Sequence, residues 1–357
     1  MKTDNTDNTD KTDNTNKPNF VGIKEIKIFK PTEPNFFANN ILVHNCVESF
    51  SLTKVASNWK TQGDENGIKT IDTDGIFHSC SLVSINLANI LNNTELLKQA
   101  CETSVRMLDA SIDLGTMPVK EAEISAKGLR NIGIGVVGLA DWMAFNKLMY
   151  DTEEGINQAE CLIEKISYYC YKSSIELAKE KGSYPWFNQA NYDTLFGKKP
   201  QELNQLSRNN FDWVQLANEI KEFGIRNFYL LSFAPNTSTA AAQGVTPSYL
   251  PVYSKDSTQT IGDIIVPVLP KFIKDRFWFY KTKFQYKPED IIKFTTRLQR
   301  WIDTGISMEI NINPEITDIK KISDTILSGF QSKELKGVYY SLTIDKLKNE
   351  SCSDCAN

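Results

Sequence analysis

Histidine is almost missing from this sequence: His44 and His78 are the only two in 357 residues. That excludes a metal site built mainly on imidazoles. No run of about 18 apolar residues occurs, so no helical membrane span is expected. The first residues are polar and acidic and lack the apolar core of a secretory signal. Positive charge is not in excess either. Forty Lys and Arg stand against 44 Asp and Glu, a net charge of −4, which argues against a general nucleic-acid footprint. Residues 2–17 repeat Thr, Asp and Asn with no apolar residue at all; such a stretch cannot bury enough surface to offset its ordering entropy, so a disordered spacer is expected over 1–19. The chain as a whole is nonetheless 41% hydrophobic, enough for a large core in one to three domains. Seven cysteines, an odd number, do not make a secreted disulfide framework in a chain this long. A reducing cytoplasm with some reactive thiols is the expected setting.

The chain is organised around Ile41-Leu42-Val43-His44-Asn45-Cys46-Val47-Glu48. An Asn side-chain amide can attack its own backbone carbonyl and cleave the chain, a neighbouring His can donate the proton, and a Cys thiol can accept an acyl group. Cys46 and Glu48 also place a sulfur and a carboxylate two residues apart, able to face one substrate from a loop, or from one face of a strand. Upstream, Val21 to Phe29 alternates as a strand until Pro31 and Pro34 break it, and Asn35 to Asn45 reads as a second short strand across the Asn39-Asn40 turn. Phe36-Phe37-Ala38-Asn39 and Ile41 to Cys46 resemble the C-terminal piece of a split intein over residues 20–45 and the junction Cys46. That resemblance implies Asn45 cyclisation assisted by His44, with Cys46 accepting the upstream segment. The Asp and His that many inteins carry before the Phe pair are replaced here by Lys27 and Pro34.

Further along, Asp74 to Leu87 reads as a buried strand carrying Cys80, and Leu96 to Leu114 as a helix. Gly133-x-Gly135-x-x-Gly138 fits the bare dinucleotide-loop pattern, but no acidic residue follows at a strand end, and close backbone packing is preferred there. Ile156 to Lys181 is the clearest helix, with apolar residues at three- and four-residue steps and Gly182 and Pro185 as stops; Cys161 and Cys170 are read as packing residues. A strand over Asn227–Ala234 empties into Pro235-Asn236-Thr237-Ser238-Thr239, an arrangement suited to an anion cradle or, equally, to a helix N-cap run. Pro288 to Asp303 reads as a helix, Ile306 to Ile312 as a strand, Ile319 to Ser328 as a helix and Leu335 to Thr343 as a strand, the spacing of a βα unit. Cys352-Ser353-Asp354-Cys355 lies in a polar tail over 344–357, where a mobile redox dithiol is preferred to half of a zinc site.

Taken together, Cys46-Val47-Glu48, the strand around Cys80, Ala234 to Thr239, Trp301-Ile302-Asp303-x-Gly305-Ile306-Ser307-Met308, Tyr339-Tyr340 and the terminal dithiol resemble the C-terminal half of the large (alpha) subunit of a class I ribonucleotide reductase. The resemblance runs from Cys46 to the chain's end. It implies an α/β fold: the second half of a ten-stranded barrel over 46–343, with Cys46 on a central loop. It further implies Cys46 as the thiyl-radical residue, Glu48 as the carboxylate that takes the 3′-hydroxyl proton, and Cys80 as one of two cysteines that reduce the 2′ carbon. Pro235 to Thr239 would bind the diphosphate, Tyr339 and Tyr340 would be a stacked radical relay, and Cys352 and Cys355 would re-reduce the active-site disulfide.

The departures matter as much. The second active-site cysteine, the substrate-binding Asn before the radical Cys and the allosteric nucleotide region have no counterpart here. The resemblance therefore implies another polypeptide: an N-terminal half ending in the other intein piece and carrying the ATP/dNTP effector sites. It also implies a radical-generating small (beta) subunit with a diiron or dimanganese cofactor, and thioredoxin or glutaredoxin as reductant. The substrate would be a ribonucleoside diphosphate, with no metal held by this chain and no nucleic-acid or membrane partner. A glycyl-radical or cobalamin-dependent reductase shares the barrel, but Tyr339-Tyr340 favours a radical imported from a separate subunit. An inactive reductase half carried by a split intein is the other alternative.

Overall fold

The computed structural model describes residues 35–38, 41–44, 48–64, 67–79, 81–117, 119–261 and 264–343. The expected spacer, the strand at 21–29, Asn45, Cys46, Cys80, Cys352 and Cys355 lie outside the described residues.

Two antiparallel hairpins come first. Strand β1 (Asn35–Ala38) pairs β2 (Ile41–His44), with Asn35 opposite His44 and Ala38 opposite Ile41, as the Asn-Asn turn predicts. Strand β3 (Trp59–Asp64) pairs β4 (Gly67–Thr73). Nothing in the sequence announces this second hairpin, because both of its strands are mostly polar and lack a clean apolar alternation.

The body of the chain is a succession of parallel strands joined through helices. Strand β5 (Leu82–Asn86) pairs in parallel with β6 (Gly133–Val137). The expected strand from Asp74 is shorter than its apolar run: among the described residues of this stretch, those before Leu82 carry only an isolated bridge from Lys54 to Ile76, and Leu87 already opens a helical turn. The next segment, 229–233, lies parallel to β6, with the Ile134 amide donating to the Leu230 carbonyl and the Ser232 amide to the Ile134 carbonyl. Its other edge meets 304–307 through Phe233 and Ile306. After the excursion of a hairpin, β7 (Ser257–Ile261) with β8 (Ile264–Val268), strand β9 (Glu309–Ile312) continues the 304–307 line and pairs in parallel with β10 (Tyr340–Thr343). Five parallel segments therefore follow one another in chain order. No closed barrel is formed among the described residues; the succession is mixed α/β, the class expected.

Glycines allow these strands to approach. A Cβ on Gly133 would stand 2.4 Å from Leu82 Cδ2, and one on Gly135 would stand 2.7 Å from the Ser232 carbonyl oxygen. Gly138, at φ +75°, turns β6 into the helix Leu139–Phe145, a left-handed conformation that suits glycine. The pattern Gly133-x-Gly135-x-x-Gly138 is thus a packing device, as the sequence reading prefers.

Helices cover the sheet by their apolar faces. Asn93 caps Thr94–Leu114, whose Leu97, Cys101, Val105, Leu108 and Ile112 are buried along one stripe. Thr152 caps Glu153–Lys181, and Gly182 at φ +81° ends it. These two helices pack together around Cys101 and Cys170, each fully buried, so both thiols serve as small core residues. Each large side chain buried this way contributes roughly 1.5–3 kcal/mol. The helix that opens at Pro288 stops at Gln299, four residues short of Asp303, because Trp301 and Asp303 are drawn into tertiary contacts described below. The helix Ile319–Gln331 precedes β10, while Leu335 to Tyr339 approach that strand as irregular chain. Among the described residues no helix is long and apolar enough to cross a membrane.

Candidate active site

The chain just after Cys46 is fastened to the sheet at three successive polar residues. The Gly305 amide donates to the Glu48 carbonyl at 2.6 Å, and Ser307 Oγ donates to Glu48 Oε2 at 3.3 Å. Glu48 is 8% exposed, so its carboxylate is set within the fold. Ser49 Oγ is bonded to His78 Nε2 at 2.7 Å, and Asn131 Nδ2 donates to Ser51 Oγ. Burial pushes His78 down to about 4, so the ring is neutral near pH 7; its Nδ1 has no hydrogen-bond partner among the described residues. The segment from 48 to 51 thereby touches the 304–307 line, the approach to β5 and the start of β6.

Gly305 and Ser307 lie where they do because of Trp301 and Asp303. Trp301 is fully buried and stacks on Trp213 with ring centroids 5.3 Å apart. Asp303 accepts the Leu230 and Leu231 amides, both at 2.8 Å, and the Tyr171 hydroxyl at 3.1 Å. The Thr304 hydroxyl donates to the Leu231 carbonyl. Burial pushes the Asp303 carboxyl up, against these hydrogen bonds. Lys336 donates to the carbonyls of Ile302 and Asp303, and burial brings it down to about 8. The Trp301-Ile302-Asp303 stretch is therefore a clamp that ties 229–233 to 304–307. Sequence alone marks it without revealing that task.

The turn at 235–239 follows the segment that carries Phe233. Asn236 takes the left-handed conformation at φ 55°, and the short helix Thr237–Gln243 begins with no side-chain cap. Asn236 Nδ2 donates to Ser84 Oγ at 2.7 Å, and Asn86 Nδ2 to Gln243 Oε1 at 2.8 Å, which holds both ends of this helix over the C-terminal half of β5. Buried Ala240 packs with Ala88, Val137 and Val245. Pro235, Asn236 and Thr237 are half-buried, and Ser238 and Thr239 are exposed. The turn thus stands at the carboxyl ends of parallel strands, where open α/β sheets bind ligands. It is close in the fold to Glu48, since Gly305 bonds Phe233 through its carbonyl and Glu48 through its amide.

Tyr339 and Tyr340 do adjoin, with ring centroids 4.3 Å apart, but their planes stand at 72°. The expected stacking is corrected to an edge-on contact, the arrangement that the ring quadrupoles favour. The Tyr339 amide donates to the Met308 carbonyl. The Tyr340 hydroxyl donates to Glu309 Oε1 at 2.7 Å, and Glu309 Oε2 pairs with Lys283 Nζ at 2.7 Å. Glu309 and Lys283 were not legible as site residues: each is an ordinary charge in the sequence, and only the β9–β10 register and the placing of the 283–285 turn bring them to Tyr340. Among the described cysteines, Cys161 bonds Asn209 and lies with Cys101 and Cys170 away from these residues, in the helical layer. Among the described residues no group of three or more His, Cys, Asp or Glu side chains is gathered as for a metal ion.

A parallel α/β domain, with a buried carboxylate and a strand-end turn meeting beside one sheet edge, is the class that fold and site define. A family model described as ribonucleotide reductase, barrel domain, matches residues 13–341. The ribonucleoside-diphosphate reductase subunit alpha of Synechocystis is 38% identical over 298 residues, covering 78% of this chain and 38% of that protein. That of Helicobacter pylori strain 26695 is 31% identical over 276 residues, 75% of this chain and 35% of the relative. That of Chlamydia muridarum is 29% identical over 310 residues, covering 73% and 29%. The chain belongs to the ribonucleotide reductase barrel-domain family, and it spans well under half the length of these relatives.

Proposed function

We propose that this chain is the C-terminal half of a class I ribonucleotide reductase catalytic subunit, joined to its N-terminal half by trans-splicing at Asn45/Cys46. The observation that carries the reductase reading is Glu48: a buried carboxylate, two residues from Cys46, held by Gly305 and Ser307 of the Trp301 to Met308 motif. In this reading a Cys46 thiyl takes the ribose 3′ hydrogen, and Glu48 takes the 3′-hydroxyl proton so that the 2′-hydroxyl leaves as water, general acid–base work. Cys80, with a cysteine supplied by the N-terminal half, reduces the 2′ carbon and ends as a disulfide. Cys352 and Cys355 then exchange with that disulfide and are themselves reduced by thioredoxin or glutaredoxin. Backbone amides and hydroxyls of Pro235 to Thr239 cradle the diphosphate of a ribonucleoside diphosphate. Tyr339 and Tyr340 carry the oxidising equivalent inward from a small subunit, whose diiron or dimanganese centre supplies it; effector nucleotides belong to the N-terminal half.

The splicing reading is supported by the β1–β2 hairpin, which delivers His44 to the last paired position before Asn45 and Cys46. The family match begins at residue 13, upstream of Cys46, and so does not mark this boundary. Joining at Cys46 would give one residue two successive tasks, splicing nucleophile and radical site. The test is intact-mass analysis after mixing this chain with the N-terminal half, followed by a reductase assay on the product. Loss of residues 1–45 with a new peptide bond to Cys46, and turnover that Glu48→Gln abolishes, is the expected result. An unchanged mass sinks the splicing reading; a correctly joined but inert product sinks the reductase reading and leaves an inactive half carried by an intein.

A further inference from the structure

The Tyr340 hydroxyl has a partner that the relay alone does not require. Tyr340 stands opposite Glu309 in the parallel β9–β10 register, and its hydroxyl donates to Glu309 Oε1 at 2.7 Å. The second oxygen of that carboxylate is held by Lys283 Nζ at 2.7 Å, with side-chain exposures of 11% for Glu309 and 9% for Lys283. Lys283 is itself fixed. Its amide donates to the Val252 carbonyl, it opens a short helical turn boxed by Thr282 and Gln285, and its ammonium lies 4.9 Å from the Tyr253 ring centre. A phenol that loses an electron becomes a strong acid, so one-electron oxidation is favourable only if its proton has somewhere to go.

We propose that Glu309 is the proton acceptor for oxidation of Tyr340, with Lys283 as the residue that positions it. The inference rests on the relay reading above. The electron leaves Tyr340 for a phenoxyl radical of the partner subunit, which becomes a phenol by taking a proton from its own site. The Tyr340 O–H bond breaks, its proton bonds to Glu309 Oε1, and the products are a neutral Tyr340 radical and a protonated Glu309. On return of the electron the proton goes back, so the pair is unchanged over a cycle. The register that makes the sheet also sets the transfer distance, and the bound ammonium keeps the receiving carboxylate turned toward the phenol.

The experiment uses the joined, full-length enzyme with its small subunit. Glu309→Gln leaves the buried Lys283 charge unpaired, so Glu309→Gln/Lys283→Met, which removes both charges at similar volume, is measured beside it. Each is expected to lower turnover about 100-fold, within the usual range for a lost acid–base group, with KM for the diphosphate unchanged. Lys283→Met alone is expected to fall less. The deciding arm replaces Tyr340 by a fluorinated tyrosine that is already ionised at the assay pH. A phenolate has no proton to give, so in that background the Glu309 substitutions should cost nothing, and the radical at 340 should appear by electron paramagnetic resonance to the same extent with or without Glu309. A purely structural role would leave the loss in place in the ionised background, and that result overturns the proposal. Full turnover in both Glu309 variants, with Tyr340→Phe inactive, also overturns it while sparing the relay. An active Tyr340→Phe enzyme overturns the relay and the proposal together.

Discussion

Two buried carboxylates, Asp109 and Glu309, show how similar burial serves different ends. Asp109 is 0% exposed and meets Arg130 Nε at 2.7 Å, Arg226 Nε at 3.1 Å and Lys181 at 3.6 Å. Arg130 also reaches Asp113 and the Asp109 carbonyl, while the Asn227 amide joins the same cluster. Its two guanidinium partners never lose their protons in a protein. Such a carboxylate ties the helix Thr94–Leu114 to the start of β6 and to residues 226–227. Among the described residues Glu309 meets one ammonium and one phenol, and the phenol hydrogen is exchangeable. Saturation by fixed cations marks a structural carboxylate, whereas a carboxylate that keeps one exchangeable donor can handle a proton.

Removing one partner should break the first network most severely. Asp109→Ala leaves buried Arg130 and half-buried Arg226 without this carboxylate and is expected to lower stability by about 3–5 kcal/mol, read as a shift of the urea midpoint at unchanged slope. The joint Glu309→Gln/Lys283→Met change removes a pair rather than a partner. Its unfolding free energy should stay within about 1 kcal/mol of the parent, since replacing a whole buried pair is often neutral; a larger loss would make Glu309 the same kind of group as Asp109.

His78 sharpens the contrast from the other side, as a half-buried group with no charged partner among the described residues. Its pKa is lowered from 6.5 to about 4 by burial, so the folded state binds fewer protons than the unfolded chain between those values. The stability this contributes is complete above pH 6.5 and is lost as pH falls through 4, amounting to roughly 3 kcal/mol at most. His78→Gln should flatten the acid side of the stability profile by that amount relative to the parent. Gly135→Ala involves no charge; its methyl meets the Ser232 carbonyl, and overpacking there is expected to cost about 1–3 kcal/mol in chemical denaturation. The exposed Arg106–Glu180 pair closes the series: Glu180→Gln should leave the melting temperature unmoved, as solvent-exposed pairs usually do.

Much of the frame was legible because it is written locally. The stripe of Ile156, Ala159, Ile163, Ile166 and Cys170 announces its helix, Gly182 ends it, and the Asn-Asn turn announces the first hairpin. The polar β3–β4 hairpin escaped because it offers no apolar period. The Asp74 to Ser81 stretch has strand composition, but among its described residues only Ile76 finds a strand-like partner. The site was legible in part: Glu48, the turn at 235–239 and the tyrosine pair are recognisable as residue types in order, yet their partners are not. Ser307 stands 259 residues from Glu48, and no periodicity reaches that far.

By itself, then, the sequence determined the long helices and most of the apolar strands, where caps and glycines stop them, and in what order the residues of the proposed site arrive. Those properties depend on backbone sterics and on the apolar period within a few turns, which act over short stretches of chain. Tertiary structure alone decided that Glu48 meets Ser307, that Asp303 clamps Leu230 and Leu231, and that Tyr340 gives its hydrogen bond to Glu309. The last of these pairings is set by the parallel β9–β10 register, and a one-residue slip of β10 would turn Tyr340 to the opposite face; the others join residues about 70 to 260 positions apart in the chain.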